Sequence, residues 1–287
     1  IQSKGINKGI QQVRDYLNKT NLTVYDEVSH TGQLRHVVIR EGLGSKELMV
    51  ALVVKEAPFY EKEEWIASLK DNPSIKSIMV NYNPDKTDRV LGTVSECIWG
   101  ETEITETILG YSMRYSLDAF VQLNPKQMEI LYQTLIQLAQ FNKTDTVWDL
   151  YSGIGSIAMS ISGYVKRVVA IEEVASATDN AKKNAKLNSI KNITVYQGKV
   201  EEKIRDIKED PDCVIIDPPR KGCEESVLKE LIKRRAERII YVSCNPKSLK
   251  KDCAILSESY DIQVIQPVDM FPQTNHLETI TYLSKRR

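Results

Sequence analysis

The spacing of apolar positions changes character near Asn124. Upstream, apolar residues at helical spacing in "KGIQQVRDYLNKT" and "APFYEKEEWIASLKDN" predict two helices with Glu and Lys on the wet face. Four β-like runs accompany them: "RHVVIRE", "ELMVALVV", "SIKSIMVNYN" and "ITETILGYSMRYSL". Gly42, Gly44 and Asn83-Pro84-Asp85 break these runs as turns. Downstream, short apolar strands alternate with amphipathic helices. "PKQMEILYQTLIQLAQF", "GSIAMSISGYV", "VASATDNAKKNAKLNSI", "EESVLKELIKRR" and "PKSLKKDCAILSES" read as helices. "DTVWDLY", "RVVAIEE", "ITVYQGKV", "CVIIDPP", "RIIYVSCN", "YDIQVIQPVD" and "HLETITYLSK" read as strands. Alternation with short connections is the signature of a doubly wound, Rossmann-like α/β sheet, whose ligands sit at the carboxyl ends of the strands. The expected organisation is an α+β module over residues 1–124 and the α/β domain over 125–287. No internal repeat or low-complexity tract is visible.

Composition narrows the function classes. The 39 basic and 39 acidic residues cancel, which excludes a chain coated in positive charge while leaving room for a local basic groove. No apolar stretch reaches the length of a membrane span, and no charged-then-apolar leader opens the chain. The five cysteines are odd in number, form no C-x-x-C pair and suggest neither a disulfide framework nor a metal or cluster site. A cytoplasmic protein with free thiols is expected. The first residue is Ile1, so a longer parent protein is expected as well.

Candidate chemistry collects at one end of the downstream sheet. "VWDLYSGIGS" is a strand, an acid and a Gly-x-Gly turn (Gly153, Gly155) into a helix, which lets a ligand approach the backbone closely. Met159 stands near the place of the third glycine of a dinucleotide fingerprint, and a plain strand-to-helix turn would look the same. Glu172 ends the next strand at the distance suited to a carboxylate gripping a ribose diol. Asp149 and Asp217 close further strands on the same edge. So much negative charge repels a pyrophosphate but suits a cationic ligand with a ribose, which favours S-adenosylmethionine over NAD.

Cys244 ends the strand "RIIYVSCN", where a thiolate is accessible and can be activated. Cys97, Cys213 and Cys253 read as small buried hydrophobes, and Cys223, at a helix start after "DPPRKG", ranks second to Cys244. Arg220 follows the Asp-Pro-Pro turn where amino-group methyltransferases carry a stacking aromatic, which points to another chemistry. Arg220 and Lys221 equally read as a solvated pair. Glu278 opens the last strand amid β-formers, at a site or on a solvent face. Together these groups suit methylation of uracil C5: a thiolate adds to C6, C5 takes the methyl group, and a base removes the C5 proton. No metal is needed.

The segments "FVQLNPKQ", "DLYSGIGSIA", "DPPRKG", "YVSCNPKSL" and "DMFPQTNHLE", spanning roughly residues 118–280, resemble the S-adenosylmethionine-dependent RNA uracil-5-methyltransferases of 23S rRNA or tRNA. "LRHVVIRE" is similar to the family's connecting module. The resemblance implies a Rossmann-like methyltransferase domain, Cys244 as nucleophile and Glu278 as general base. It also implies cofactor contacts from Gln122, Tyr151, Glu172 and Asp217, with Gly153 in the glycine turn. Gln122 enters through the resemblance alone. Three positions depart from the family pattern: Ser152 for a cysteine, Gln273 where histidine is frequent, and Lys199 where an acid often meets the adenine amino group. A lysine side chain cannot accept that bond.

Fuller family members carry an upstream OB-like RNA-binding barrel, and many 23S-directed ones a four-cysteine iron–sulfur motif. Neither is in these residues, so this chain is expected to be the catalytic portion of a monomeric enzyme that binds S-adenosylmethionine yet holds RNA weakly. The target uridine must be single-stranded or flipped, with Met270 and Phe271 as an apolar wall or a plug over the sheet edge. Bacterial 23S rRNA is the favoured substrate, giving 5-methyluridine in rRNA processing. The alternatives are tRNA, cytosine-5 methylation of RNA, a non-catalytic RNA-binding protein on the same scaffold, and an NAD-dependent oxidoreductase.

Overall fold

The computed structural model describes residues 2–286, which form two compact units. The first contains residues up to Thr107 together with Arg114–Asp118. Its sheet has the order β1-β2-β3-β4, with β1 Leu34–Glu41, β2 Leu48–Val54, β3 Ile75–Tyr82 and β4 Val94–Gly100. The β2–β3 pair is parallel and the other two pairs are antiparallel. A parallel pair needs a crossover, and α2 Lys62–Leu69 supplies it. β2 is buried along its whole length, as its unbroken apolar run requires. Trp65 and Leu69 of α2 are fully buried, and Tyr16 of α1 Lys4–Leu17 stacks at 4.9 Å from Trp65.

Several details differ from the sequence reading. α1 begins at Lys4 rather than Lys8, because the Ser3 hydroxyl accepts from the Ile6 N–H and caps it. "VSECIWG" is the edge strand β4, only half-buried and too polar to stand out in the pattern. "ITETILGYSMRYSL" is a hairpin of β5 Ile104–Ile108 and β6 Tyr111–Tyr115, turned by Leu109 and Gly110 at positive φ. Cys97, expected in the core, is half-buried on β4.

The second unit holds a seven-stranded sheet in the order β12-β13-β11-β10-β7-β8-β9. In chain order the strands are β7 Thr146–Leu150, β8 Arg167–Glu172, β9 Ile193–Gln197, β10 Cys213–Ile216, β11 Arg238–Ser243, β12 Tyr260–Val268 and β13 Glu278–Lys285. The first five are mutually parallel, whereas β13 runs antiparallel to β11 and to β12. The helices are α3 Pro125–Ala139, α4 Ser156–Ser162, α5 Ala175–Leu187, α6 Val200–Lys203, α7 Glu225–Arg234 and α8 Pro246–Leu256. "ITVYQGKV" therefore ends as a strand at Gln197, and its last residue opens α6.

Both sheet faces are covered. Val147, Ile215, Ile240 and Val242 pack with α3 and α4 residues such as Leu131 and Ile157. Trp148, Val214, Ile239 and Tyr241 pack with Val227, Leu228 and Leu256 of α7 and α8. Alternate residues of one strand thus serve opposite layers, as the period-two pleat requires. From β7 the chain winds outward to β9 and then returns to β10 on the other side of β7. That reversal places the topological switch point between the carboxyl ends of β7 and β10. Among the described residues no helix is long and apolar enough to cross a membrane.

Candidate active site

The crevice at the switch point is lined by Phe120, Val121 and Gln122 on one side, and by Tyr151–Ile154, Ser156 and Asp217 on the other. After β7 the backbone turns sharply, with Tyr151, Gly153 and Gly155 all at positive φ. Gly155 has a packing reason to lack a side chain, since a Cβ there would lie 3.1 Å from the Ala181 Cβ. Gly153 has none of that kind: a Cβ would meet nothing within 4 Å. Its bare backbone faces open space, as a surface for close ligand approach does.

Glu172, at the end of β8, ties this turn down. Its carboxylate accepts from the Gly153 N–H at 2.9 Å and from the Val174 N–H at 2.8 Å, one bond to each oxygen. A carboxylate has about four acceptor positions, so two remain for hydroxyl donors of a ligand. Asp217 follows β10 directly and is held by its N–H, which donates to the Leu150 carbonyl at 3.3 Å. Burial and the Glu278 charge push its carboxyl up to about 7. Asp149, inside β7, is fully buried, and neither carboxylate oxygen has a hydrogen-bond partner. Burial first, then the charges of Asp217 and Glu172, push it up to about 8, against the Ala158 N–H, which favours the charged form.

Cys244 follows β11 at the same edge. Asn245 organises its turn: the side-chain oxygen accepts from the Lys247 N–H at 3.1 Å and caps α8, while the side-chain nitrogen donates to the Arg220 carbonyl at 2.8 Å. The Asp-Pro-Pro-Arg turn and the cysteine turn are thereby tied together. Ser243 pairs with Thr279 across β11 and β13, and its carbonyl accepts from the Thr279 hydroxyl at 3.1 Å. Cys244 and Glu278 adjoin that last pair, one on each chain segment. Glu278 is 4% exposed, and burial raises its carboxyl above the usual range. Cys244 is half-buried, and its thiol is raised by burial, then by the negative charges of Glu278 and Asp217, against the Arg220 charge. Arg220 itself is exposed, with its guanidinium 3.4 Å from Nδ1 of His276.

The residues singled out from the sequence thus converge on one edge. Gln122, Tyr151, Gly153 and Asp217 share a crevice, Glu172 bonds its glycine turn, and Cys244 lies within reach of the Glu278 and Asp217 charges. The other cysteines stand apart in kind. Cys213, Cys223 and Cys253 are buried, and burial raises their thiols to about 12, 12 and 11. Lys199 is exposed at the start of α6, and Gln273 is exposed at positive φ. Met270 is fully buried and Phe271 half-buried, and the Met270 carbonyl accepts from the Asn124 side chain at 3.1 Å. That bond fixes the end of the Gln122 loop.

Sequence reading missed Tyr132 and Ser156, whose hydroxyls bond each other at 2.7 Å in the crevice. Tyr132 sits on the apolar stripe of α3 and carries no separate signal. Among the described residues no group of three or more His, Cys, Asp or Glu is placed to hold a metal ion.

A parallel sheet of this winding, with an acid ending β8 and a glycine turn after β7, defines a Rossmann-like methyltransferase. A profile of the tRNA (Uracil-5-)-methyltransferase family matches residues 45–286, and the chain belongs to that family. An uncharacterized RNA methyltransferase of Oceanobacillus iheyensis is 39% identical over 99% of this chain and 63% of its own length. One from Enterococcus faecalis is 38% identical, over 99% of this chain and 64% of its own length. The chain therefore spans a little under two thirds of these curated relatives. The crystal structure of Pyrococcus abyssi tRNA (uracil-54, C5)-methyltransferase, in complex with S-adenosyl-L-homocysteine, is similar at 26% identity and a TM-score of 0.79. That match covers 96% of this chain and 66% of the other.

Proposed function

We propose that this chain is the catalytic portion of an S-adenosylmethionine-dependent enzyme that methylates C5 of a uridine in RNA, with 23S rRNA as the favoured substrate. The observation that carries the reading is the Ser243–Thr279 pair of β11 and β13, which brings the adjoining Cys244 and Glu278 near enough for the Glu278 charge to act on the thiol. The P. abyssi relative, a tRNA (uracil-54, C5)-methyltransferase with S-adenosyl-L-homocysteine bound, supports the cofactor and the reaction class.

The residues present fit the cofactor. Gln122, Tyr151 and Asp217 line the crevice, Gly153 leaves its backbone bare, and Glu172 retains acceptor capacity for ribose hydroxyls. When bound, S-adenosylmethionine supplies an electrophilic methyl group. Cys244 attacks C6 of the uracil ring, and the electron pair of the C5–C6 bond moves to an enolate whose C5 accepts the methyl group. Glu278 then takes the C5 proton, and the Cys244–C6 bond breaks to restore the ring and the thiolate.

The electrostatics fit this order of events. The thiol, raised by burial and then by the neighbouring carboxylates, rests protonated and gives its proton to solvent before it adds to C6, which leaves Glu278 free for the C5 proton. The raised Glu278 carboxyl is closer to neutrality than an ordinary glutamate, which suits a group that must take and release a proton each turnover.

Nucleoside mass spectrometry of RNA treated with the enzyme tests the reading. 5-Methyluridine is expected, whereas 5-methylcytidine alone would replace the reading with the cytosine alternative. Cys244→Ala should lower the rate by at least about a thousandfold, as loss of a nucleophile does. Glu278→Gln should cost about 100- to 10,000-fold and accumulate methylated RNA still attached to Cys244, because proton removal precedes release.

A further inference from the structure

The turn that follows Asp217 and the turn of Cys244 are both fastened to α8, and Asp252 of that helix has no assigned part in the chemistry. It is fully buried, and its Oδ2 accepts two hydrogen bonds: from the Cys223 N–H at 2.7 Å and from the Tyr241 hydroxyl at 2.6 Å. Its other oxygen, Oδ1, is buried without a partner. Taking a carboxyl out of water is costly unless it is well bonded. An apolar side chain packs a helix against a sheet without that cost, so the two bonds point to a task of placement.

The bonds fall on a defined stretch of chain. Asn245 caps α8 and donates to the Arg220 carbonyl at 2.8 Å, and Asp252, seven residues on, takes the Cys223 N–H. Seven residues are about two helical turns, so both side chains come from one face of α8. Between these two contacts the chain passes close over the helix at Gly222, which has a φ of 86° and donates its N–H to the Pro219 carbonyl at 2.8 Å. A Cβ on Gly222 would lie 2.5 Å from Asp252 Oδ2 and 3.0 Å from the Ser248 Cβ. Residues 220–223 are thus held against α8 at both ends. Asp217 is anchored separately, through its N–H on the Leu150 carbonyl. What the clamp fixes is the place of Arg220, whose positive charge opposes the carboxylates acting on the Cys244 thiol.

We propose that Asp252 is a positioning residue for the methyl transfer: by holding the Cys223 N–H and bracing on Tyr241 of β11, three residues before Cys244, it sets the Arg220 turn against the nucleophile. The inference rests on the reading of Cys244 as nucleophile given above. Its consequence is a split between binding and turnover. Loss of the Asp252 bonds lets the turn drift from Cys244 and slows the reaction, while Asp217, Glu172 and the glycine turn still hold the cofactor.

Steady-state kinetics of the full-length enzyme on a uridine-containing RNA, with a melting temperature for each variant, test this. Asp252→Ala should lower kcat on the order of 100-fold, the scale of a misplacement of about 1 Å, with the KM for S-adenosylmethionine within about twofold of wild type. Asp252→Asn keeps an acceptor oxygen for both donors and should retain most of the wild-type rate. Tyr241→Phe removes one bond to the same carboxyl but leaves the Cys223 bond, so it should lower the melting temperature with kcat nearly unchanged. A merely structural Asp252 would make kcat follow the melting temperature across all three variants. If Asp252→Ala does not fold, Asp252→Glu replaces it: the acceptor is kept but displaced by one methylene, and the same fall in kcat at unchanged KM is expected. Unchanged kcat in the Ala or Glu variant, no rescue by Asp252→Asn, or an equal loss of rate in Tyr241→Phe overturns the proposal, while an active wild type leaves the functional reading intact. A wild type that makes no 5-methyluridine overturns that reading and this inference with it.

Discussion

At the scale of single residues, the site sets burial against charge. Asp149 and Asp217 have carboxyls raised to about 8 and about 7, so the folded chain holds protons that the unfolded chain has already lost. Between about pH 4 and pH 8 these two groups bind more protons in the native state, and their contribution to stability falls as pH rises through that window. Asp149→Asn, which stays neutral throughout, should therefore melt higher than wild type near pH 8 and almost equally near pH 4. Thermal denaturation at the two pH values checks this, and the opposite order would mean that Asp149 is ionised and stabilised in the folded chain. Individual residues were unevenly legible in the sequence. Cys244 and Asp217 announced themselves by ending apolar strands, whereas Gln122 sits in "FVQLNP" with no local pattern to mark it. Tyr132 is hidden because a helix stripe reads the same whether a hydroxyl at its edge faces a core or a crevice.

At the scale of elements, the glycine turn after β7 separates two roles that sequence cannot distinguish. Gly153 and Gly155 both adopt positive φ, at 54° and 80°, where an added Cβ costs about 1–2 kcal/mol. Only at Gly155 does the new Cβ also press on a neighbour, Ala181, across the α4–α5 packing. Gly155→Ala should therefore lower the melting temperature more than Gly153→Ala. Gly153→Ala should weaken cofactor binding more, because its Cβ projects into the space a ligand needs. Equal effects of both variants on calorimetric affinity would argue against a ligand lying over Gly153. The strands themselves divide in a similar way. β2 and β7 were legible because apolar runs buried on both faces leave no polar interruptions. The edge strand β4 escaped notice because half its side chains are wet, and the β5–β6 hairpin because its turn lies within one β-forming run. The antiparallel entry of β13 between β11 and β12 is a long-range pairing, and it is what brings a distant Glu278 near Cys244.

At the scale of the whole molecule, neutrality has a consequence for substrate capture. The 39 cationic side chains are matched by 39 anionic ones, so the chain offers no large excess of charge to a polyanion. Each phosphate neutralised contributes roughly −0.7 to the slope of log affinity against log salt for single-stranded nucleic acid. Fluorescence anisotropy with a short single-stranded RNA should therefore show weak binding with a shallow slope, near that of one or two contacts. Tight, steeply salt-dependent binding would reveal a basic groove that the overall balance conceals. The central claim is the covalent attack of Cys244 on uracil, and one measurement addresses it most directly. The protein is incubated with S-adenosylmethionine and an RNA carrying 5-fluorouridine at the target, at RNA concentrations where anisotropy shows it bound, and then analysed by intact and peptide mass spectrometry. Fluorine at C5 cannot be removed as a proton, so the reaction should stall as a methylated RNA adduct on the peptide containing Cys244, and Cys244→Ala should give none. Bound RNA that leaves Cys244 unmodified, or an adduct that persists in Cys244→Ala, would contradict the thiolate mechanism.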